Sequence, residues 1–304
     1  MIRRLVSPLL VAGVFATPLA AQPDIQGREG TRFTWSNRIP AGQWLRIYGT
    51  NGRIDVVEAT GDVADLVAEK VMRRGRPEDI AFEIRRASDG FTICAIISEE
   101  VDCNDDGIRQ RGRWRNDNDN DGRRVNFTVR VPRGVKVAAG SGNGDVRVEG
   151  MSAEVNAASG NGDVRVSTSG GPVSASSGNG DVRVGRATGP VKASSGNGRV
   201  FVATTRGPVN ASSGNGDVDI TMDAIADLAE DMEFSSGNGT VTVTVPSDFS
   251  GELVATTGSG KFYSDFPLTL RGRIDPQRVR ATIGRGGRRI TISSGNGDVE
   301  LKKK

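Results

Sequence analysis

The chain has 304 residues, with 40 Lys and Arg against 37 Asp and Glu, a formal net charge of +3, no His and two Cys. Without His, a hydrolase of the Ser–His or Cys–His type has no base to activate its nucleophile. Acidic and basic residues alternate along most of the chain, so the basic stripe expected of a nucleic-acid binder is missing.

Residues 1–21 read as a secretory signal peptide. Arg3 and Arg4 are followed by an apolar run over residues 5–15, and Leu19, Ala20 and Ala21 precede Gln22. The run is short and interrupted by Pro8 and Gly13, which argues against a spanning helix; an uncleaved membrane anchor is the minor alternative. No transmembrane span is expected after cleavage, and no Cys follows that could be lipidated at a new N-terminus. Loss of Arg3 and Arg4 lowers the formal charge from +3 to +1. The expected location is the periplasm, the outer surface or the extracellular medium.

Residues 22–140 read as an elaborated N-terminal part. After a flexible lead-in over 22–34, Trp44, Ile47 and Tyr48 mark a strand, and residues 50–56 (TNGRIDV) form the first worn copy of a motif that recurs later. Strands are expected over 65–72, 80–87 and 91–97. Cys94 and Cys103 have eight residues between them, and in an exported protein the simplest reading is a disulfide, stabilising by about 2–3 kcal/mol; free thiols are the alternative. Residues 99–124 are the most polar stretch and read as a long exposed loop. Within it, Asp117, Asp119, Asp121 and Gly122 match the opening of a calcium loop, but the twelfth position, which needs a bidentate acid, is Thr128. A solvated polar loop is the preferred reading, with no metal. Strands over 126–132 and 135–139 then lead into the repeats.

Residues 141–245 form the regular array. Over 141–220 the chain runs in blocks of eighteen that open SGNGDVRV or a close variant, and each block divides into two nines carrying an apolar-x-apolar triplet, such as Val164/Val166 and Val173/Ala175. A fixed period means stacked repeats, and the triplets are the signature of strands with one buried face. Two strands and two tight turns per block predict one coil of a flattened parallel β-solenoid. The fold class is therefore all-β, a β-helix-like solenoid with a thin core of Val facing Val and Ala. Gly and Asn in the turns supply or tolerate positive φ. Stacking places Asn143, Asn161, Asn179, Asn197 and Asn215 one above another as an amide ladder.

Asp145, Asp163, Asp181 and Asp217 form one column and Arg147, Arg165 and Arg183 another, which reads as scaffold with pairing across coils. The fourth coil breaks both columns with Arg199 and Phe201, a place for a singular binding spot. The β-roll calcium pattern needs Asp two residues before the apolar position, whereas here it lies one before, so the array needs no metal. The next motif starts 23 residues after Ser213, and the extra residues fall within 222–232, where Ile225, Leu228 and Ala229 suit a short helix. Residues 246–304 hold two further motif copies. From Arg271 onward there are ten Lys or Arg against Asp275, Asp298 and Glu300, either a solvated basic edge or a contact for anionic lipid, lipopolysaccharide or polysaccharide. Lys302, Lys303 and Lys304 read as guards of an edge strand.

The SGNGDVRV repeat resembles the bacterial putative-adhesin family of β-strand-repeat proteins, domains of unknown function with β-solenoid folds. The likeness extends to the early Trp, to residues 51–56, to 89–94 (DGFTIC) and to 127–132 (FTVRVP). It implies the solenoid fold and a surface role, and it brings no catalytic residues. The leading functional expectation is an exported, non-enzymatic protein presenting an elongated face to an envelope or surface ligand, with an anionic glycan or a lipid headgroup as candidates and no cofactor. The alternatives are a carbohydrate-active β-helix enzyme of the polysaccharide-lyase kind and a purely structural envelope protein.

Overall fold

The computed structural model describes residues 24–97, 101–110, 122–225, 230–270, 275 and 277–304. The signal segment, the calcium half-match at Asp117, Asp119 and Asp121, and Leu228 and Ala229 lie outside them.

Two long sheets face each other as the walls of a flattened parallel β-solenoid. In the array, Val155–Asn161, Val173–Asn179, Val191–Ser195 and Val209–Ser213 lie side by side in one wall, with Val164–Ser169, Val182–Ala187, Val200–Thr204 and Val218–Met222 in the other. Valine pairs with valine from coil to coil, as Val164 with Val182 and Val182 with Val200. Alternation then puts Val164, Val166, Val173 and Ala175 inside, each no more than 3% exposed. Only a 3-10 turn, Pro77–Asp79, departs from extended structure as a helix among the described residues.

The core is thin in the middle and heavier at its ends. Phe33 stacks on Phe82 at 4.4 Å and Phe82 meets Phe127 edge-on at 6.1 Å, while Phe249 and Phe266 form a similar pair at the other end. Antiparallel strands close both ends. Ala81–Ala87 and Val63–Val71 cover the first coil, and Arg278–Ile283 covers the last on one wall. These strands cap the parallel ladders that would otherwise offer open edges.

The five-residue motif SGNGD works as a turn in which every side chain, or its absence, meets the neighbouring coil. Ser177 Oγ, 6% exposed, donates to Gly162 O at 2.8 Å. Asn179 Nδ2 donates to Asn161 Oδ1 at 2.7 Å, and Asp163 Oδ1 accepts the Asp181 N–H at 3.0 Å. A Cβ on Gly178 would stand 2.5 Å from Gly160 O, and one on Gly180 would stand 2.3 Å from Gly162 O. The glycines are thus required by close approach of stacked backbones. In most coils they are extended, and no Asn of the array has positive φ, which corrects the conformational reason expected from sequence.

Two further expectations are corrected. Part of the predicted loop is a hairpin, Val101–Asn104 with Gly107–Gln110, turned by Gly107 at φ 129°. The Cys94–Cys103 disulfide ties it to Gly90–Ile96, and Tyr48 Oη donates to Asp105 O at 3.0 Å. Its alternation is hidden in the sequence by the polar residues around it. The second correction is the order of coils. The final coil, Arg289–Ser294 and Val299–Lys303, sits between Met232–Ser236/Val241–Val245 and Gly251–Thr257/Phe262–Ser264. The terminal lysines therefore do not guard an edge. Lys302 pairs with Glu300 at 2.6 Å, Lys303 lies 5.1 Å from the Phe266 ring centroid, and Lys304 pairs with Asp223. The expected helix is not seen in the described part of 222–232: Met222 ends one strand and Met232 begins the next, with Ile225 packed against the core.

Ser177→Ala removes a buried hydrogen bond and is expected to destabilise the mature chain by about 1–2 kcal/mol in denaturant unfolding. Gly178→Ala drives a methyl into a carbonyl and is expected to cost more, about 3 kcal/mol. Equal unfolding midpoints for the two variants would contradict the close-approach account. A chain ending at residue 288 is expected to lose protection against limited proteolysis over 246–288 while the array up to 245 stays resistant.

Candidate functional site

The motif edge carries the Asn column, and the structure consumes it internally. The amide ladder runs from Asn51 through Asn143, Asn161, Asn179, Asn197, Asn215 and Asn238 to Asn296. Asn51 Nδ2 closes it on Arg123 O at 3.3 Å, and Ser259 Oγ closes the other end on Asn296 Oδ1 at 3.0 Å. The worn copies at 51 and 296 join because stacking position, not repeat fidelity, decides membership. Amides engaged on both sides have little left for a ligand.

The Asp and Arg columns also differ from expectation. Arg147, Arg165 and Arg183 pair with Asp145, Asp163 and Asp181 of their own coils at 2.6, 2.9 and 3.3 Å. The only cross-coil contact in this set is Arg147 to Asp55 at 3.6 Å. The carboxylates reach between coils to backbone instead, which sequence reasoning missed because a main-chain donor leaves no trace in residue identity. Asp181 titrates below the usual carboxylate range, chiefly because the Arg199 N–H donates to it, with Arg183 assisting. Arg199 itself offers no acceptor to Asp217, so the side-chain-to-backbone series skips a step there.

Phe201 stands on the outer face of its wall, 41% exposed, between Arg183 and Asp219 in register. The face changes along the stack from Arg147, Arg165 and Arg183, through Phe201, to Asp219, Thr242, Glu300 and Tyr263. Burial, with the nearby Asp217 charge, pushes the Asp219 carboxyl above its ordinary range, while Arg199 opposes this. Arg199 directly precedes the strand Val200–Thr204 that carries Phe201.

The basic C-terminal composition does not gather into one patch. Arg278, Arg280 and Arg289 line an open cleft of about 660 Å³ with Glu252 on the first wall. Arg285 and Arg288 line another of about 380 Å³ with Asp223 and Asp248.

A stronger concentration lies where the N-terminal part meets the array. A cleft of about 690 Å³ is lined by Arg53, Arg73, Arg123, Arg124, Arg147 and Asn126, together with the Asn51–Gly52 and Asn143–Gly144 turns. Gly52, at φ 117°, lets the 124–132 strand approach the turn at the cleft wall: a Cβ there would lie 2.1 Å from Val125 O. The carboxylates nearby are already engaged, Asp55 by Arg53 at 2.6 Å and Asp145 by Arg147. Arg73 and Arg124 are exposed and have no carboxylate within ion-pair distance among the described residues. Sequence reading missed this cleft because its arginines come from separate segments; the adjacent pair Arg123–Arg124 is the only local hint.

No group of three or more His, Cys, Asp or Glu converges to hold a metal among the described residues. Among them, too, no helix is long and apolar enough to cross a membrane.

Comparison with solved structures finds a putative cell adhesion protein from Clostridium sporogenes ATCC 15579, 12% identical, covering 90% of this chain and 100% of that one with a TM-score of 0.27. A putative adhesin from Bacteroides fragilis NCTC 9343 is 13% identical, covering 91% and 99%, with a TM-score of 0.38. Neither score is high enough to add to the fold described above. Comparison with curated proteins finds no match. The family model of Toastrack DUF4097 matches residues 109–302, spanning the repeats, nearly all of the returning coil and eight of the twelve residues that line the arginine cleft. The chain belongs to the Toastrack DUF4097 family.

Proposed function

We propose that the protein is exported and acts without catalysis, holding long solenoid walls outward for adhesion to an envelope or surface ligand. The observation that supports this reading is the way ionisable side chains are used. Along the array the Asp and Arg columns are engaged in their own coils and in backbone contacts. What varies is the outer surface, which changes from cationic to apolar to acidic over successive coils. Rigid, repeating walls suit binding by many weak contacts spread along a length, where each added contact raises avidity.

The signal-like N-terminus and the disulfide fit an oxidising compartment. Beads coated with the purified mature chain are expected to be retained on bacterial envelope preparations about tenfold more than beads coated with the same chain after reduction and unfolding. Equal retention would overturn the reading. Sustained release of product from acidic polysaccharides would replace it with the enzymatic alternative.

A further inference from the structure

We infer that the arginine cleft is a binding site for a carboxylate-bearing glycan chain, a ligand assignment that rests on the surface-binding function proposed above. Arg53, Arg73, Arg123, Arg124 and Arg147 bring five guanidinium groups to one concavity of about 690 Å³. Among the described residues the carboxylates here, Asp55 beside the cleft and Asp145 in its lining, are held in ion pairs by Arg53 and Arg147, which leaves Arg73 and Arg124 as the cationic excess. Clustered like charges oppose folding, and although the Arg73 stem lies against Gly122, Arg73 and Arg124 are both exposed on the rim. Guanidinium groups bind carboxylates through paired, parallel hydrogen bonds, which suits uronate units better than neutral sugars.

Three features select the ligand. The site is concave, so it takes a chain or a chain end and not a flat bilayer. Among the described residues no aromatic side chain lines it, whereas guanidinium groups do. No exposed large apolar side chain lies on its lining to insert into lipid: those on the described surface are Ile25, Val57, Phe201, Tyr263 and Leu270. Beyond the cleft, the register continues from Arg147 to Arg165 and Arg183 at the coil spacing of roughly 4.8 Å, but each of these is paired with the Asp of its own coil, so the cationic excess stays in the cleft.

The test is calorimetric titration of the mature chain with polygalacturonate, its fully methyl-esterified form and phosphatidylglycerol vesicles. Polygalacturonate is expected to bind, and the uncharged ester is not. Raising salt from about 50 to about 300 mM is expected to weaken binding by about tenfold. Arg73→Gln with Arg124→Gln is expected to weaken it by a further tenfold or so, while Arg278→Gln with Arg280→Gln, at the far end, leaves it unchanged. Salt-insensitive binding by the unaltered chain overturns the inference even if the double variant does not fold. Equal binding of the ester, vesicle binding lost with Arg73 and Arg124 in place of polyuronate binding, or polyuronate binding only after Asp117, Asp119 and Asp121 become Asn also overturns it. Bead retention on envelopes that persists without polyuronate binding removes this ligand and leaves the surface-binding function standing; loss of both removes the two together.

Discussion

Backbone crowding at one edge of the coil governs this structure. Where the chain turns between walls, successive coils approach until carbonyl oxygens lie where a side chain would begin. Glycine is the residue that fits, and the residues between the glycines turn the closeness to use. Ser donates to a carbonyl of the preceding coil, Asn continues an amide series, and Asp caps the next main-chain N–H. Each contact alone is modest, of order 1 kcal/mol, but it recurs at every coil. A core of valine and alanine two side chains deep cannot hold such walls by apolar burial alone. The edge supplies the directional part of the stability and fixes register at the same time.

The ends obey a different rule. Where the period stops, the protein turns to large side chains, antiparallel strands and a disulfide. Phe33, Phe82 and Phe127 fill one end, and Phe249 and Phe266 the other. The varied N-terminal part therefore closes the stack and also breaks the monotony of the surface. The arginine cleft forms at that junction, where segments of unlike sequence meet side by side.

Much of the architecture was legible in the chain. An unbroken spacing of eighteen fixes which residues share a column, so the buried valines, the outward Asp and Arg, and the asparagine positions could be read directly. The motif announces that a segment is a coil but carries no mark of which coil lies beside it. That is why the sequence reads Lys302 to Lys304 as edge guards while the strand that carries Lys302 and Lys303 lies inside its wall. The purpose of the Asp column was hidden for a related reason, since its partner is the main chain. The arginine cleft was beyond reach: Arg73 and Arg124 are about fifty residues apart and meet only through antiparallel pairing of the strands that flank them. The hairpin over 101–110 was obscured because charged residues dominate its composition, while Cys103 and Ile108 carry the pairing face.

The placement of the last coil has a consequence for how the molecule is made. After Val245 the chain leaves a rung vacant, builds the terminal coil beyond the gap, and comes back to occupy it with its final residues. Until those residues emerge, two rows of unpaired amides and carbonyls face one another across the space of a single strand pair. Synthesis proceeds from the N-terminus, so residues 246–288 are made before the strands that join them to the array. A polypeptide terminated before residue 289 is left with two open strand edges within reach of proteases.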